Sequence, residues 1–307
     1  MNTRSEKKMK KSDWLRWAMT LAIALCFLVF SFGCAENDTE PSSIGEELSA
    51  QPSDVVSSNS EELISNDEVA IWEFDDITDT LTFTGSGLLS EQEMEVLDNC
   101  VYDWSALADE VKSIIIGEGI TRIPSGAFYG FEGVTEIHLP ATLKSIGQYA
   151  FFQCSFSYIK LPNSLEVIEE YAFSHCQQLL SCEVPASVKE LSTGAFEACV
   201  SLQTLTLHEG LQILKGGCLQ DCTRLYTLVI PSSVTEIEEL HAPSLIILVF
   251  LGDPPKLPQS IDSSSYLLST EHVTVYYPCG VVAWQHVASQ YQQNDITWVE
   301  GVPPDGA

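Results

Sequence analysis

Ten cysteines and six histidines are the residues of this chain with the widest chemical repertoire. A thiol beside a histidine can become a nucleophile, and sets of Cys and His can hold zinc. His175-Cys176 is the only adjacent pair of this kind. Cys154, Cys176, Cys199 and Cys222 recur at near-equal steps along the chain. The chain has no G-x-S-x-G elbow, no G-x-x-x-x-G-K-S/T loop and no H-E-x-x-H pair, the motifs that would announce acyl transfer, phosphate binding or zinc hydrolysis. Its carboxylates are spread out, and no motif places two of them together for acid–base work. No catalytic residue, metal site or cofactor is assigned.

The regular cysteine step points to the elements that carry it. Aligned on one apolar position, Ile116, Leu139, Leu161, Val184, Leu207, Ile230 and Phe250 follow one another at steps of 23, 22, 23, 23, 23 and 20. A fixed period in this range signals a solenoid. Each unit opens with alternating apolar residues, as in Val134-x-x-Ile137-x-Leu139, the mark of a strand with one buried face. Pro140, Pro162, Pro185 and Pro231 end four of these strands, because Pro cannot donate to a ladder. A second inward pair follows: Leu143/Ile146, Leu165/Ile168, Val188/Leu191 and Leu211/Leu214. Ala150-Phe151, Ala172-Phe173 and Ala195-Phe196 then predict a short helical turn on the back.

The unit I-x-L-P-x-S/T-L-x-x-I-x-x-x-A-F-x-x-C resembles the BspA-type leucine-rich repeats of bacterial surface proteins over residues 111–250. Leu81-Thr-Phe-Thr-Gly-Ser-Gly and Gly117-Glu118-Gly119-Ile120 resemble the segments that open such arrays. The resemblance implies an α/β solenoid: a right-handed leucine-rich repeat array with a parallel sheet face, short helical turns on the back and a non-repeat cap at each end. It also implies a surface or secreted binding role, commonly adhesion, and no catalytic residues.

Residues 68–110 read as the N-terminal cap, since a stacked array needs its first apolar edge covered. Residues 70–87 predict a hairpin, and Met94, Leu97, Val101 and Trp104 fall at helical spacing within 91–110. Residues 251–307 read as the C-terminal cap: a loop over 257–270, a strand at Val273, a helix over 281–291 and a last strand at Ile296. Trp72, Trp104, Trp284 and Trp298 are read as packing. In register, Cys154, Cys176, Cys199 and Cys222 share one place, held by Phe131 in the first unit. Repeats about 4.8 Å apart would stack them in a buried column. A column offers no tetrahedral ligand set, and its parallel Cβ vectors do not face one another for disulfides. Free, unreactive thiols follow.

Before the caps, Lys7, Lys8, Lys10 and Lys11 precede an apolar run that ends at Gly33-Cys34-Ala35, so residues 1–33 read as a signal peptide. Gly33-Cys34 resembles a bacterial lipoprotein cleavage site, with Cys34 the lipidated residue; Ser31 and Phe32 depart from that pattern, and cleavage after Ala35 is the alternative. Residues 34–67 predict a disordered tether: 35–67 hold nine acidic residues, eight serines and no Lys or Arg. The whole chain carries −29, and positions 1–33 carry four net positive charges, which leaves −33 beyond them. Such charge repels nucleic acid, and membrane association is expected only through an N-terminal lipid.

What remains for function is the outward side of the strands. One row reads Ile115, His138, Lys160, Glu183, Thr206, Val229 and Val249. The other reads Ser113, Glu136, Tyr158, Ser181, Thr204, Thr227 and Ile247. The candidate ligand-binding residues are Glu136, His138, Tyr158, Lys160, Glu183, Thr204 and Thr206. The expected partner is a protein or glycan at a host or bacterial surface. The alternative is a structural envelope component with no diffusible ligand.

Overall fold

The computed structural model describes residues 70–90, 102–258, 272–291 and 296–303, all within the unit Asp67–Ala307. The expected signal peptide, Cys34, the tether, Cys100, most of the 91–110 helix and most of the 257–270 loop lie outside the described residues.

Each repeat makes three passes around the core. On the first, Ser113–Ile116 and Glu136–His138 pair in parallel. Tyr158–Ile159, Ser181–Val184 and Thr204–Leu207 form the next ladder. Thr227–Ile230 and Ile247–Phe250 begin a third ladder on the same pass. The predicted hairpin is present as Ile71–Asp75 against Thr80–Thr84. Its second strand pairs with Ser113–Ile116, so the cap extends the front sheet. At the other end Thr274–Tyr277 and Thr297–Glu300 extend it again, with the helix Val282–Gln290 between them.

The second pass is also a sheet. Gly87–Leu88, Ile120–Ile123, Ser145–Ile146 and Val167–Ile168 pair in parallel, followed by Glu190–Leu191, Ile213–Leu214 and Glu236–Ile237. Most of these strands are a single residue pair, too short for alternation to declare them. The S/T of the repeat unit has its reason here. Thr142, Ser164, Ser187 and Ser233 each donate a hydroxyl to a carbonyl of the preceding repeat, on Ile120, Leu143, Leu165 and Leu211.

The third pass departs from expectation. Ala-Phe lies in hydrogen-bonded turns, and no helix spans it. Two residues per repeat are left-handed: Gly126 and Gly130, Tyr149 and Gln153, Tyr171 and His175, Gly194 and Ala198, Gly217 and Asp221. A left-handed residue cannot continue a right-handed helix. It instead directs N–H groups to the next repeat. Phe128, Phe151 and Phe173 donate to the carbonyls of Ala150, Ala172 and Ala195 at 2.8, 2.9 and 2.9 Å, and Phe196 to Cys218 at 3.0 Å. Hydrogen bonds between repeats therefore run along all three sides.

The core follows the repeat pattern. Leu143, Ile146, Leu165, Ile168, Val188, Leu191, Leu211 and Leu214 are all buried. Phe128, Phe151, Phe173 and Phe196 stack at centroid distances of 5.4, 5.5 and 5.2 Å with near-parallel rings. Each buried ring contributes roughly 2–3 kcal/mol by burial and about 1 kcal/mol more by stacking. Beside this stack lies the thiol column. Cys154, Cys176, Cys199 and Cys222 are buried and free, and each Sγ donates one repeat back, to the carbonyls of Phe128, Phe151, Phe173 and Phe196. Cys182 and Cys218 are buried and free as well, while Cys279 is exposed.

The tryptophans close the ends. Trp104 stacks on Tyr102 at 4.7 Å, meets Phe83 edge-on and donates Nε1 to the Ala127 carbonyl at 2.7 Å. Trp284 is buried against Phe250 and donates to Gly252 at 2.9 Å. Where the sixth repeat falls short, Lys256 bridges to Glu236 and carries the second ladder on.

Candidate functional site

The front sheet turns all seven candidate residues to solvent. Glu136, His138, Tyr158, Lys160, Glu183, Thr204 and Thr206 are exposed, Tyr158 at 54%. Their inward neighbours Ile159, Cys182 and Leu205 are buried. Register sets Ser181 beside both Tyr158 and Thr204, and Glu183 beside Thr206. Two acid–imidazole pairs form on this face. His138 Nε2 donates to Glu136 Oε1 at 2.9 Å, and His208 Nε2 to Glu183 Oε1 at 2.6 Å. His208 was not among the residues picked from the sequence; it stands where other repeats carry Pro, and its side chain reaches back one repeat. Lys160 has no ion-pair partner among the described residues, so its ammonium is open to a partner between acid-bearing strands. Val249 is an outward position by alternation, yet it is only 4% exposed. Ile247–Phe250 is apolar throughout, so the polar face ends before that strand.

The structure separates the two members of the only His–Cys pair. The His175 ring lies outside, 3.0 Å from Ser174 Oγ and against Phe152. The Cys176 thiol lies inside, and burial pushes its pKa well above the usual value. Burial does the same to every thiol of the interior, with Cys182, Cys218 and Cys222 pushed up to about 12. A thiol that stays protonated at neutral pH is neither nucleophile nor metal ligand. Among the described residues no three His, Cys, Asp or Glu side chains gather as a metal-binding group.

A second surface, on the back, was missed. Tyr129 and Phe152 stack at 4.7 Å, and Tyr149 and Tyr171 at 4.9 Å, with the Phe152 ring edge-on to Tyr149. Tyr129 is 47% exposed, and the others are half-buried. Tyr149 and Tyr171 sit at the left-handed place before Ala-Phe, where the neighbouring repeats have Gly126, Gly194 and Gly217. A side-chain-bearing residue there costs about 1 kcal/mol relative to Gly. Stacking offsets part of that cost. The sequence does carry the signal, since the residue before Ala-Phe is Gly in some repeats and Tyr in others. Its meaning depends on the left-handed backbone, which the pattern does not show.

The repeats seen in the structure also match a known family. Residues 106–222 match the BspA type leucine rich repeat region in six copies. Among solved structures, the chain is similar to a leucine rich cell surface protein from Faecalibacterium prausnitzii A2-165, with 19% identity, 69% of each chain covered and a TM-score of 0.46. It is also similar to a leucine-rich repeat protein from Bacteroides ovatus ATCC 8483, with 17% identity, 76% of each chain covered and a TM-score of 0.40. A third is a leucine-rich repeat protein from T. pallidum, with 21% identity, 74% of this chain and 96% of that chain covered and a TM-score of 0.41. No curated protein matches at a significant level. Over residues 106–222, the repeats of this chain are thus similar to leucine-rich repeats of the BspA type.

Proposed function

We propose that the chain is an exported, non-catalytic recognition module whose front sheet face binds a protein or glycan at a host or bacterial surface. The carrying observation is that Glu136, His138, Tyr158, Lys160, Glu183, Thr204 and Thr206 all face solvent on consecutive strands. The repeat needs only their inward neighbours, so the variety of these seven is not demanded by the fold. Rigid strands hold them in place, and a face of this kind suits an extended partner. The basic and apolar start of the chain supports export, with lipidation of Cys34 as the anchor and secretion as its alternative.

The test uses the full-length chain with Glu136→Thr, Tyr158→Thr, Lys160→Thr and Glu183→Thr together. Threonine already occupies the same rows at Thr204 and Thr206. Binding to glycan arrays and to surface proteins of host and envelope is compared with that of the unaltered chain. The expected result is saturable binding that weakens at least about tenfold in the variant, with unfolding unchanged. Binding that survives the four substitutions removes the front face from the function. No saturable binding by the unaltered chain favours the structural envelope role.

A further inference from the structure

The paired tyrosines on the back end at a cleft. Tyr149 and Tyr171 lie parallel, one repeat apart. The next two places in that column are Gly194 and Gly217. The Tyr171 ring runs over Gly194, where a Cβ would stand 2.2 Å from its Cε1. Past it the two glycines leave a cleft of about 310 Å³, walled by Tyr171, Glu197, Gln220, Glu238 and Glu239 and floored by the glycines themselves.

The charge of this cleft selects its occupant. Lys215 holds Glu238 at 2.7 Å. Glu197 and Glu239 have no Lys or Arg partner among the described residues; Glu197 faces Ser174 Oγ and Glu239 accepts from His241. Glu170, beside the same tyrosines, accepts from the side-chain amide of Gln148. A neutral sugar could lie on the ring but would leave these carboxylates uncompensated. An ammonium would supply charge without a plane to continue the stack. A guanidinium does both: it stacks on aromatic faces and donates in a fixed fork to carboxylates.

We propose that the cleft beyond Tyr171 receives the guanidinium of an arginine side chain on a partner polypeptide. It stacks on the free side of the Tyr171 ring, over Gly217, and donates to Glu197 and Glu239. No residue of the front strands lines this site, and it does not depend on the reading of that face.

The probes are three capped tripeptides, Gly-X-Gly, with X as arginine, lysine or citrulline, titrated against the full-length protein by ligand-observed NMR at low salt. Arginine should bind saturably, lysine at least about fivefold more weakly, and citrulline with no measurable affinity. Tyr171→Gly places in that repeat the residue three others already carry, so the backbone is retained; it should weaken arginine binding about fivefold or more. Glu197→Gln and Glu239→Gln should each weaken it and flatten its salt dependence. The four-threonine front variant should bind arginine as the unaltered chain does. Equal affinity for arginine and lysine, no effect of Tyr171→Gly, loss of binding in the front variant, or no saturable arginine binding would each overturn the proposal.

Discussion

The thiol interior sets an alkaline limit on this fold. Six buried thiols, Cys154, Cys176, Cys182, Cys199, Cys218 and Cys222, have pKa values raised by burial. In the unfolded chain each titrates near 9. The folded state therefore holds protons that the unfolded state releases. Stability is complete below pH 9 and falls as pH rises, by about 1.4 kcal/mol per pH unit for each thiol, until the folded thiols also ionise, near pH 12 for Cys182, Cys218 and Cys222. Six such groups remove about 8 kcal/mol between pH 8 and 10, which is comparable to the whole stability of an ordinary domain. A single replacement isolates the effect. Cys199→Ser keeps a donor for the Phe173 carbonyl but has no group that titrates in this range. It should cost about 1 kcal/mol at pH 8. That gap should shrink by about 1.4 kcal/mol by pH 10, so the variant becomes equal to or more stable than the unaltered chain. Urea unfolding followed by circular dichroism under reducing conditions, at half-unit pH steps, measures the gap. Tyrosine ionisation is common to both proteins and cancels in the difference. A gap that stays constant from pH 8 to 10 would show that Cys199 is not a buried thiol and would refute the column.

Two more tests probe the back turns and the ring stack. Gly194→Ala meets both a left-handed backbone and the Tyr171 ring, whereas Gly130→Ala meets the same backbone with open space beyond it; thermal unfolding should show losses of about 2–3 kcal/mol and about 1 kcal/mol respectively. Phe173→Ala opens a hole between Phe151 and Phe196 and should cost about 3–5 kcal/mol, while Phe173→Leu, the type that Leu219 already supplies in that register, should cost less than about 2 kcal/mol by urea titration.

Some features of this molecule were readable from residue types at fixed steps. The inward pairs, the hairpin, the proline stops, the cap strands and the placing of the cysteines in one column all follow from burial repeated at one period, and burial is what apolar spacing reports. The outward position of Glu136, His138, Tyr158, Lys160, Glu183, Thr204 and Thr206 follows from the same alternation. Other features were not readable, because they depend on backbone conformation or on contacts between repeats. The second sheet rests on strands too brief to alternate. The expected helical turn at Ala-Phe gave way to left-handed residues at Tyr149, Gln153, Tyr171 and His175, residue types that do not announce a positive φ. His208 reaches Glu183 only because stacking brings neighbouring repeats together. The repeat length and its apolar register were thus set by the sequence alone. Which side chains meet across repeats, and where a row of rings stops to leave a cleft, was decided by stacking, because those neighbours lie a whole repeat apart along the chain and become adjacent only in the folded coil.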